Sequence, residues 1–179
     1  KNLLITFHPV TLENSTSAQQ MGELLSALNK LDNTNFIFTM PNSDTDGRVL
    51  FQIIEEYVSS NIKSVVFTSM GQLRYLSCLK HVDGVIGNSS SGLLEVPTFK
   101  IGTINIGDRQ RGRLKAISVI DCEPNESSIS SAIKMLYSAD YQNRLTTVKN
   151  PYGCGGASES IVNILNDVSL DGLLKKRFY

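Results

Sequence analysis

Six short apolar segments recur along the chain, separated by longer segments with helical spacing. The six are residues 3–7, 35–40, 64–68, 84–87, 102–106 and 116–120. Near-continuous apolar runs of this length are typical of strands that are buried on both faces of a parallel sheet. Their alternation with helical segments predicts an α/β domain built from right-handed strand–helix–strand units.

The helical segments lie between and after these strands. In the first of them Met21, Leu24, Leu25 and Leu28 recur at the spacing of an amphipathic helix. The predicted helices cover residues 16–31, 49–58, 73–79, 92–96, 125–138, 139–147 and 155–167, followed by a short tail from Leu170.

Length and charge limit the classes of function. The chain has 179 residues, of which 41% are hydrophobic, and its formal net charge is zero. This length predicts one domain with enough chain to bury a core. A neutral balance gives no electrostatic basis for binding nucleic acid or an anionic membrane. We therefore expect neither of these partners. In addition, no apolar run approaches about 18 residues, so the sequence predicts no membrane-spanning helix.

The cysteines and the first residues indicate the compartment. Cys78, Cys122 and Cys154 lie far apart without zinc-ligand spacing, and their odd number argues against a disulfide framework. We therefore expect free thiols, a cytoplasmic location, and no metal or cofactor. The chain enters its first strand directly after Lys1, without Met and without a visible signal peptide, as expected for a piece of a longer chain.

The stretch from Val85 to Pro97 carries the strongest functional signal. A buried strand runs into Asn88-Ser89-Ser90-Ser91-Gly92 and then into a helical turn. Such a junction presents free backbone N–H groups and the positive end of a helix dipole, which suit a phosphate or carboxylate. The serines add hydroxyl donors, and Glu95 is placed to accept hydrogen bonds from sugar hydroxyls. An ordinary capped helix start is the alternative reading.

Other polar residues follow the remaining predicted strands. Ligands of open α/β sheets bind beyond the carboxyl ends of the strands. That edge would gather His8, Asn42, Ser43, Asp44, Ser69, Met70, Asp108, Arg109 and Arg113 beside the serine stretch. Arginine forks and serine hydroxyls together describe a site for a diphosphate, most naturally that of a nucleotide. Taken one at a time, each of these residues also has a non-functional explanation. His8 could be a structural histidine, the arginines could belong to a solvated turn, and Asn42 and Asp44 are ordinary turn residues.

A second unusual stretch runs from Asn150 to Ser158. It contains one proline and three glycines ahead of a helix, and bare glycines allow close approach to a ligand or to another backbone. A hinge or a simple turn explains the stretch equally well. Cys154 has no adjacent base in the sequence, so a role as a nucleophile is not expected.

Three stretches together resemble one family. They are Thr6-Phe7-His8-Pro9-Val10-Thr11, residues 87–113, and Asn150-Pro151-Tyr152-Gly153. They are similar to the C-terminal half of UDP-N-acetylglucosamine 2-epimerases, especially the hydrolysing type of sialic and legionaminic acid synthesis. The resemblance implies a Rossmann-like three-layer α/β/α parallel sheet, the C-terminal half of a GT-B-like two-domain fold. Residues 1–179 would then form one UDP-binding domain, with residues 150–179 packing toward an absent N-terminal half.

The same resemblance implies roles for individual residues. His8 matches the active-site histidine that approaches the leaving diphosphate. Ser89 and Ser90 match phosphate-binding positions in the serine stretch that continues through Ser91 and Gly92, and Glu95 matches the ribose-binding position. Arg109 and Arg113 would lie near the diphosphate or the closing cleft. Ser69 and Met70 would lie next to the uracil segment, while Asn42 and Asp44 would face the cleft.

The implied reaction is elimination of UDP across C1–C2 of the sugar to give a glycal, followed by addition of water with inversion at C2. The acid and base carboxylates would come from the absent N-terminal domain, so this chain alone should bind UDP weakly and catalyse nothing. The substrate would be UDP-N-acetylglucosamine or its 2,4-diacetamido analogue, and the whole protein would be a homo-oligomer.

Two departures and two alternatives qualify this interpretation. Cys154 and Gly156 stand where the family commonly has Asp and a larger polar residue, which leaves that loop without an assigned role. The donor-binding half of a UDP-sugar glycosyltransferase would share the same fold and diphosphate site. A non-catalytic nucleotide-binding module is the other alternative.

Overall fold

The computed structural model describes residues 1–10, 16–42 and 47–172, and in them it places one six-stranded parallel sheet. The strands are β1 Asn2–Thr6, β2 Asn35–Thr39, β3 Ser64–Phe67, β4 Gly84–Gly87, β5 Gly102–Ile106 and β6 Val119–Cys122. Their order across the sheet is β3-β2-β1-β4-β5-β6. Consecutive strands are therefore joined by crossovers, as the alternation in the sequence predicts.

Helices cover both faces of the sheet. They are α1 Ser17–Leu28, α2 Gly47–Ser60, α3 Gly71–Cys78, α4 Ser91–Leu94, α5 Glu126–Leu136, α6 Ala139–Leu145 and α7 Ala157–Asp167, with a 3₁₀ turn over Val96–Phe99. None of the helices in the described ranges is long and apolar enough to span a bilayer. The three-layer arrangement confirms the predicted fold class.

The alternation of side chains along β1 explains the two layers. Leu3 and Ile5 point into the larger core with α1, α2 and α5, whereas Leu4 joins Val85 and Val96 in the smaller core beneath α3. Successive strand residues face opposite sides of a sheet, so an unbroken apolar run is needed when both faces are covered.

The strand order reverses between β1 and β4. β1 pairs with β2 on one side and with β4 on the other, and the crossovers leave the sheet in opposite directions from this point. A crevice therefore opens beyond the carboxyl ends of β1 and β4, which is where open α/β sheets bind their ligands.

One predicted strand is shifted. The apolar run predicted a strand over residues 116–120, whereas β6 begins at Val119 and ends at Cys122. The Val119 N–H donates to the Ala116 carbonyl at 3.1 Å, which makes the first part of the run a turn. The strand instead continues through Asp121, a polar residue that Asn105 and Lys115 hydrogen-bond from the side. The predicted tail from Leu170 lies mostly outside the described residues.

Gly87 ends β4 in a conformation that only glycine adopts readily. Its φ is +147°, and a Cβ atom placed there would lie 1.9 Å from the Thr6 carbonyl oxygen of β1. The absence of a side chain therefore allows the ends of the two strands at the crevice to approach each other.

Gly87→Ala should destabilise the chain by about 3 kcal/mol or more, because backbone strain and a collision with a neighbouring strand add together. Urea denaturation measures the loss. Gly22→Ala is the control, since open space surrounds that exposed position in α1 and alanine there should stabilise by about 0.5–1 kcal/mol. A Gly87→Ala variant as stable as the parent would show that the strands separate easily at this point.

Candidate functional site

Asn88 joins the ends of β1 and β4 at the crevice. Its side-chain oxygen accepts the His8 N–H at 2.8 Å, and its side-chain amide donates to the His8 carbonyl at 2.8 Å. Its own N–H donates to the Thr6 carbonyl at 3.2 Å. Only 1% of the residue is exposed, so both backbone groups of His8 are satisfied by one buried amide. The amide continues the ladder between the two strands past the last residue of β4.

The loop after β5 is attached to the same residue. The Asn88 carbonyl accepts the Gln110 side-chain amide at 2.7 Å and Nη1 of Arg109 at 3.1 Å. Gln110 is buried, and its side-chain oxygen has no partner among the described residues. The structure therefore brings Arg109 to the end of β4, as the sequence predicts. Arg113 is exposed, and the described contact it makes is a backbone hydrogen bond to Gln110 at 3.3 Å.

The His8 ring links β1 to the segment after β2. Its Nδ1 accepts the Asn42 N–H at 3.3 Å. With Nδ1 as the acceptor, this geometry matches the neutral tautomer that carries its proton on Nε2. A protonated ring would lose this bond. Asn42 itself is exposed, and Asp44, the neighbouring predicted site residue, lies outside the described residues.

A cavity of about 570 Å³ opens beyond the carboxyl ends of β1, β2 and β3. Its wall contains five of the predicted site residues, which are Asn42, Ser69, Met70, Ser91 and Glu95. Thr6, Thr39, Thr68 and Gln72 add polar groups from the strand ends and from α3. His8, Ser89, Ser90, Gly92, Arg109 and Arg113 are not part of that wall.

Two backbone N–H groups of the serine stretch have no partner among the described residues. Gly92 donates to the Ser89 carbonyl, and Leu93 and Leu94 donate to the Ser90 carbonyl, at 3.0–3.2 Å. No hydrogen bond between described residues uses the N–H of Ser89 or of Ser90. Because α4 has only one turn, individual N–H and hydroxyl groups matter more here than a helix dipole.

Gly92 has a structural function in addition to its predicted one. A Cβ atom at this position would lie 2.6 Å from Cγ2 of Thr103, and its carbonyl accepts the Thr103 hydroxyl at 2.8 Å. The glycine therefore lets α4 pack directly on β5, which sets the height of the serine stretch above the sheet.

Tyr75 is a site residue that sequence reasoning missed. It lies on α3, lines the cavity, and its hydroxyl forms a hydrogen bond with Oγ of Ser91. Burial raises the pKa of Tyr75 to about 12; the bond to Ser91 lowers it and the Glu95 carboxylate raises it. The phenol is therefore neutral at physiological pH. The helical spacing emphasised Leu73 instead, but that side chain is 82% exposed.

The segment around Asn150 acts as a brace, because its hydrogen bonds connect it to two parts of the site. The Asn150 amide donates to the Leu94 carbonyl and to Oγ1 of Thr98, both at 2.8 Å. The Tyr152 hydroxyl donates to the Leu114 carbonyl at 3.1 Å, just after residues 107–113, the arginine loop that follows β5. The segment thus holds the end of α4 beside Glu95 and the end of the arginine loop together. Cys154 is exposed and has no described contact with the site.

This arrangement defines a class of protein. A doubly wound parallel sheet with a polar cavity beyond its carboxyl edge, next to the reversal of strand order, is a Rossmann-type domain, a class that binds its ligands at this edge.

The chain belongs to the UDP-N-acetylglucosamine 2-epimerase family, because the model of that family matches residues 1–166. The family expected from the resemblance is thereby confirmed.

Individual relatives agree with this membership. GDP/UDP-N,N'-diacetylbacillosamine 2-epimerase (hydrolyzing) from Campylobacter jejuni is 40% identical over 98% of this chain and 46% of its own length. Polysialic acid biosynthesis protein P7 from Escherichia coli is 38% identical over 92% of this chain and 42% of its own length. The chain therefore spans about half the length of these relatives.

A solved structure has the same fold. UDP-GlcNAc 2-epimerase from Neisseria meningitidis, bound to UDP-GlcNAc, matches with a TM-score of 0.77 and 18% identity. The match covers 94% of this chain and 45% of that chain. The ligand roles of the individual residues named above remain predictions.

Asn88→Ala should destabilise the chain by about 2–4 kcal/mol, because it removes both hydrogen bonds that the buried Asn88 amide makes to the backbone of His8. Urea denaturation of the variant checks this. Asn143→Ala is the control, since that residue is exposed on α6 and its replacement should change stability little. A loss no larger than the control's would mean that water satisfies the end of β1.

Proposed function

We propose that this chain is the UDP-binding domain of a hydrolysing UDP-N-acetylglucosamine 2-epimerase. The whole protein would convert UDP-N-acetylglucosamine, or its 2,4-diacetamido analogue, into UDP and the free 2-epimeric sugar. The observation that carries the proposal is the junction at Asn88, where His8, Arg109 and the serine stretch meet beside the polar cavity. Family membership supports it.

The diphosphate would lie over the serine stretch. The unused N–H groups of Ser89 and Ser90 and the nearby hydroxyls are neutral donors, and Arg109 adds a positive charge at the end of β4. Glu95 would accept the ribose hydroxyls, since its carboxylate lines the cavity. The base would lie toward Ser69 and Met70 at the start of α3.

The reaction would begin with the loss of UDP. A base removes the proton from C2 of the sugar, the bond between C1 and the diphosphate oxygen breaks, and a glycal forms. Water then adds across the double bond, with hydroxide at C1 and a proton on the opposite face of C2. Donors already in place around the diphosphate stabilise the negative charge that develops as the bond breaks. In its neutral form His8 carries the Nε2 proton that a leaving oxygen needs.

The base and the acid at C2 would come from the rest of the protein. The chain spans about half the length of its curated relatives, and within the described residues no carboxylate besides Glu95 lines the cavity. If Glu95 holds the ribose, it cannot also reach C2. This chain alone should therefore bind UDP without turning over a UDP-sugar.

The names of the relatives suggest which sugars the whole protein would act on. One is named for N,N'-diacetylbacillosamine and another for polysialic acid biosynthesis, so both the 2,4-diacetamido sugar and N-acetylglucosamine are candidates. Product analysis of the whole protein with each UDP-sugar decides between them. Release of the free 2-epimer with UDP supports the proposal, whereas sugar transfer to an acceptor without free product would identify a transferase.

We also propose that α7 packs against the absent half. Ile161, Ile164, Leu165 and Val168 recur on one side of this helix and are 40–65% exposed. Every residue from 151 to 172 is exposed, so α7 buries no side chain against the described part of its own domain. An apolar stripe at helical spacing needs a partner surface. The part of the protein outside this chain is the natural partner, because the helix follows directly on the brace of the site.

Arg109→Ala should weaken UDP binding by tenfold or more, since a charge-assisted hydrogen bond is worth about 1.5–3 kcal/mol. Ser89→Ala should weaken it by a smaller factor, because it removes a neutral donor. Calorimetric titration of this chain with UDP measures both. Arg144→Ala on α6 and Ser59→Ala on α2 are the charge-matched and hydroxyl-matched controls. Unchanged affinity in both site variants would contradict the assignment.

Leu165→Lys should leave the thermal stability of this chain unchanged, because the side chain is already exposed. In the whole protein the same substitution should lower both stability and epimerase activity, since it places a charge in the interface between the halves. Ile62→Lys is the control, because that side chain is fully exposed in the turn between α2 and β3, at the amino end of the strand and not at the carboxyl edge where the site lies. If the whole protein tolerated Leu165→Lys as well as Ile62→Lys, the docking of α7 would be wrong.

A further inference from the structure

Two helices from distant strands meet in one hydrogen bond. Tyr75 lies on α3, which follows β3, and Ser91 begins α4, which follows β4. In the sheet β2 and β1 separate these two strands. The bond between the Tyr75 hydroxyl and Oγ of Ser91 thus joins two helices that both contribute to the lining of the cavity. The proposed function uses Ser91 as a ligand donor but gives Tyr75 no role.

The chemistry of the pair favours one direction for the bond. The Tyr75 phenol keeps its proton, because burial and the Glu95 carboxylate both hold its pKa high. A phenol is also a stronger donor than an aliphatic hydroxyl, whereas the serine oxygen has two lone pairs available to accept. When Tyr75 donates, the proton of Ser91 has to point elsewhere.

The backbone of Ser91 is also fixed by hydrogen bonds. Its N–H donates to Oγ of Ser89 at 3.4 Å, and its carbonyl accepts the Glu95 N–H at 2.9 Å. The backbone of the turn and the side-chain oxygen are therefore both fixed from inside the protein. The remaining freedom is the direction of one proton, and the open side of the cavity is where it can find an acceptor.

We propose that Tyr75 is a positioning residue that donates to Oγ of Ser91 and thereby makes Ser91 a directed donor to a phosphate oxygen of the ligand. This inference rests on the proposed function. Its physical basis is preorganisation, because a hydroxyl that is already oriented loses less rotational freedom when the ligand binds. Tyr75 need not contact the phosphate itself.

The proposal predicts an effect that depends on the phosphate. A tyrosine that served only as a wall of the cavity would affect the nucleoside and the nucleotide equally. A tyrosine that directs Ser91 affects only a ligand with a phosphate for Ser91 to contact. Comparing UDP with uridine separates the two cases, because both share the base and the ribose.

The test is Tyr75→Phe in this chain, which keeps the ring and removes only the hydroxyl. UDP affinity should fall about three- to tenfold, which corresponds to one neutral hydrogen bond, while uridine affinity stays unchanged. Ser91→Ala should cause a similar loss, and the double variant should lose little more, because the two hydroxyls act as one unit. NMR titrations with both ligands measure even weak binding. Thermal denaturation shows whether each variant is folded.

Tyr57→Phe is the matched control. Its hydroxyl accepts the Asn61 side-chain amide at 3.2 Å on α2, away from the cavity, so neither affinity should change. Equal losses for UDP and uridine in Tyr75→Phe would overturn the positioning role, and so would no loss for UDP. Failure of the unmodified chain to bind UDP would overturn the proposed function together with this inference, whereas the other outcomes leave the proposed function standing.

Discussion

The organisation of the site depends on one buried amide. Asn88 satisfies both backbone groups of His8, and its own carbonyl receives Gln110 and Arg109. Three segments that are far apart in sequence, namely the ends of β1 and β4 and the loop after β5, are therefore hydrogen-bonded through one residue. Buried polar groups of this kind are costly when unpaired, so the network has one arrangement rather than several. Gly87, directly before it, allows the approach of the strands on which the network is built.

Around that junction the polar groups fall into two sets. Neutral hydroxyls and amides, together with Glu95, line the cavity between the ends of β1, β2 and β3, whereas the arginines lie on the loop after β5. Such a division suits a ligand with an uncharged sugar-and-base part and a charged diphosphate. The brace formed by Asn150 and Tyr152 connects the two regions, because it contacts the end of α4 and the end of the arginine loop.

Much of this architecture could be predicted from the sequence, because a sheet covered on both faces requires unbroken apolar runs. The predicted bounds of the sixth strand were wrong, because that strand contains a polar residue that the apolar pattern does not include. Asp121 lies inside β6 because Asn105 and Lys115 satisfy its carboxylate from neighbouring positions, and no local pattern reveals such partners.

The location of the site residues could also be predicted in part, because it follows from the order of strands and helices. The carboxyl-edge rule correctly gathered Ser91, Glu95, Ser69 and Met70 around one cavity, since it follows from topology alone. Tyr75 escaped notice because its role depends on the crossing of α3 and α4. The sequence drew attention to the stretch after Asn150 but not to its bracing role, because the partners of Asn150 are the Leu94 carbonyl and the Thr98 hydroxyl, both more than 50 residues earlier in the chain.

The glycines after the brace have a mechanical consequence. Gly153, Gly155 and Gly156 adopt φ values of +105°, +99° and +80°, and a Cβ atom placed at any of them would have no non-adjacent atom within 4 Å. Rotation about these bonds meets little resistance, whereas Asn150 and Tyr152 are anchored immediately before them. The direction in which α7 leaves the domain can therefore change at residues 153–156 while Asn150 and Tyr152 keep their hydrogen bonds beside the site.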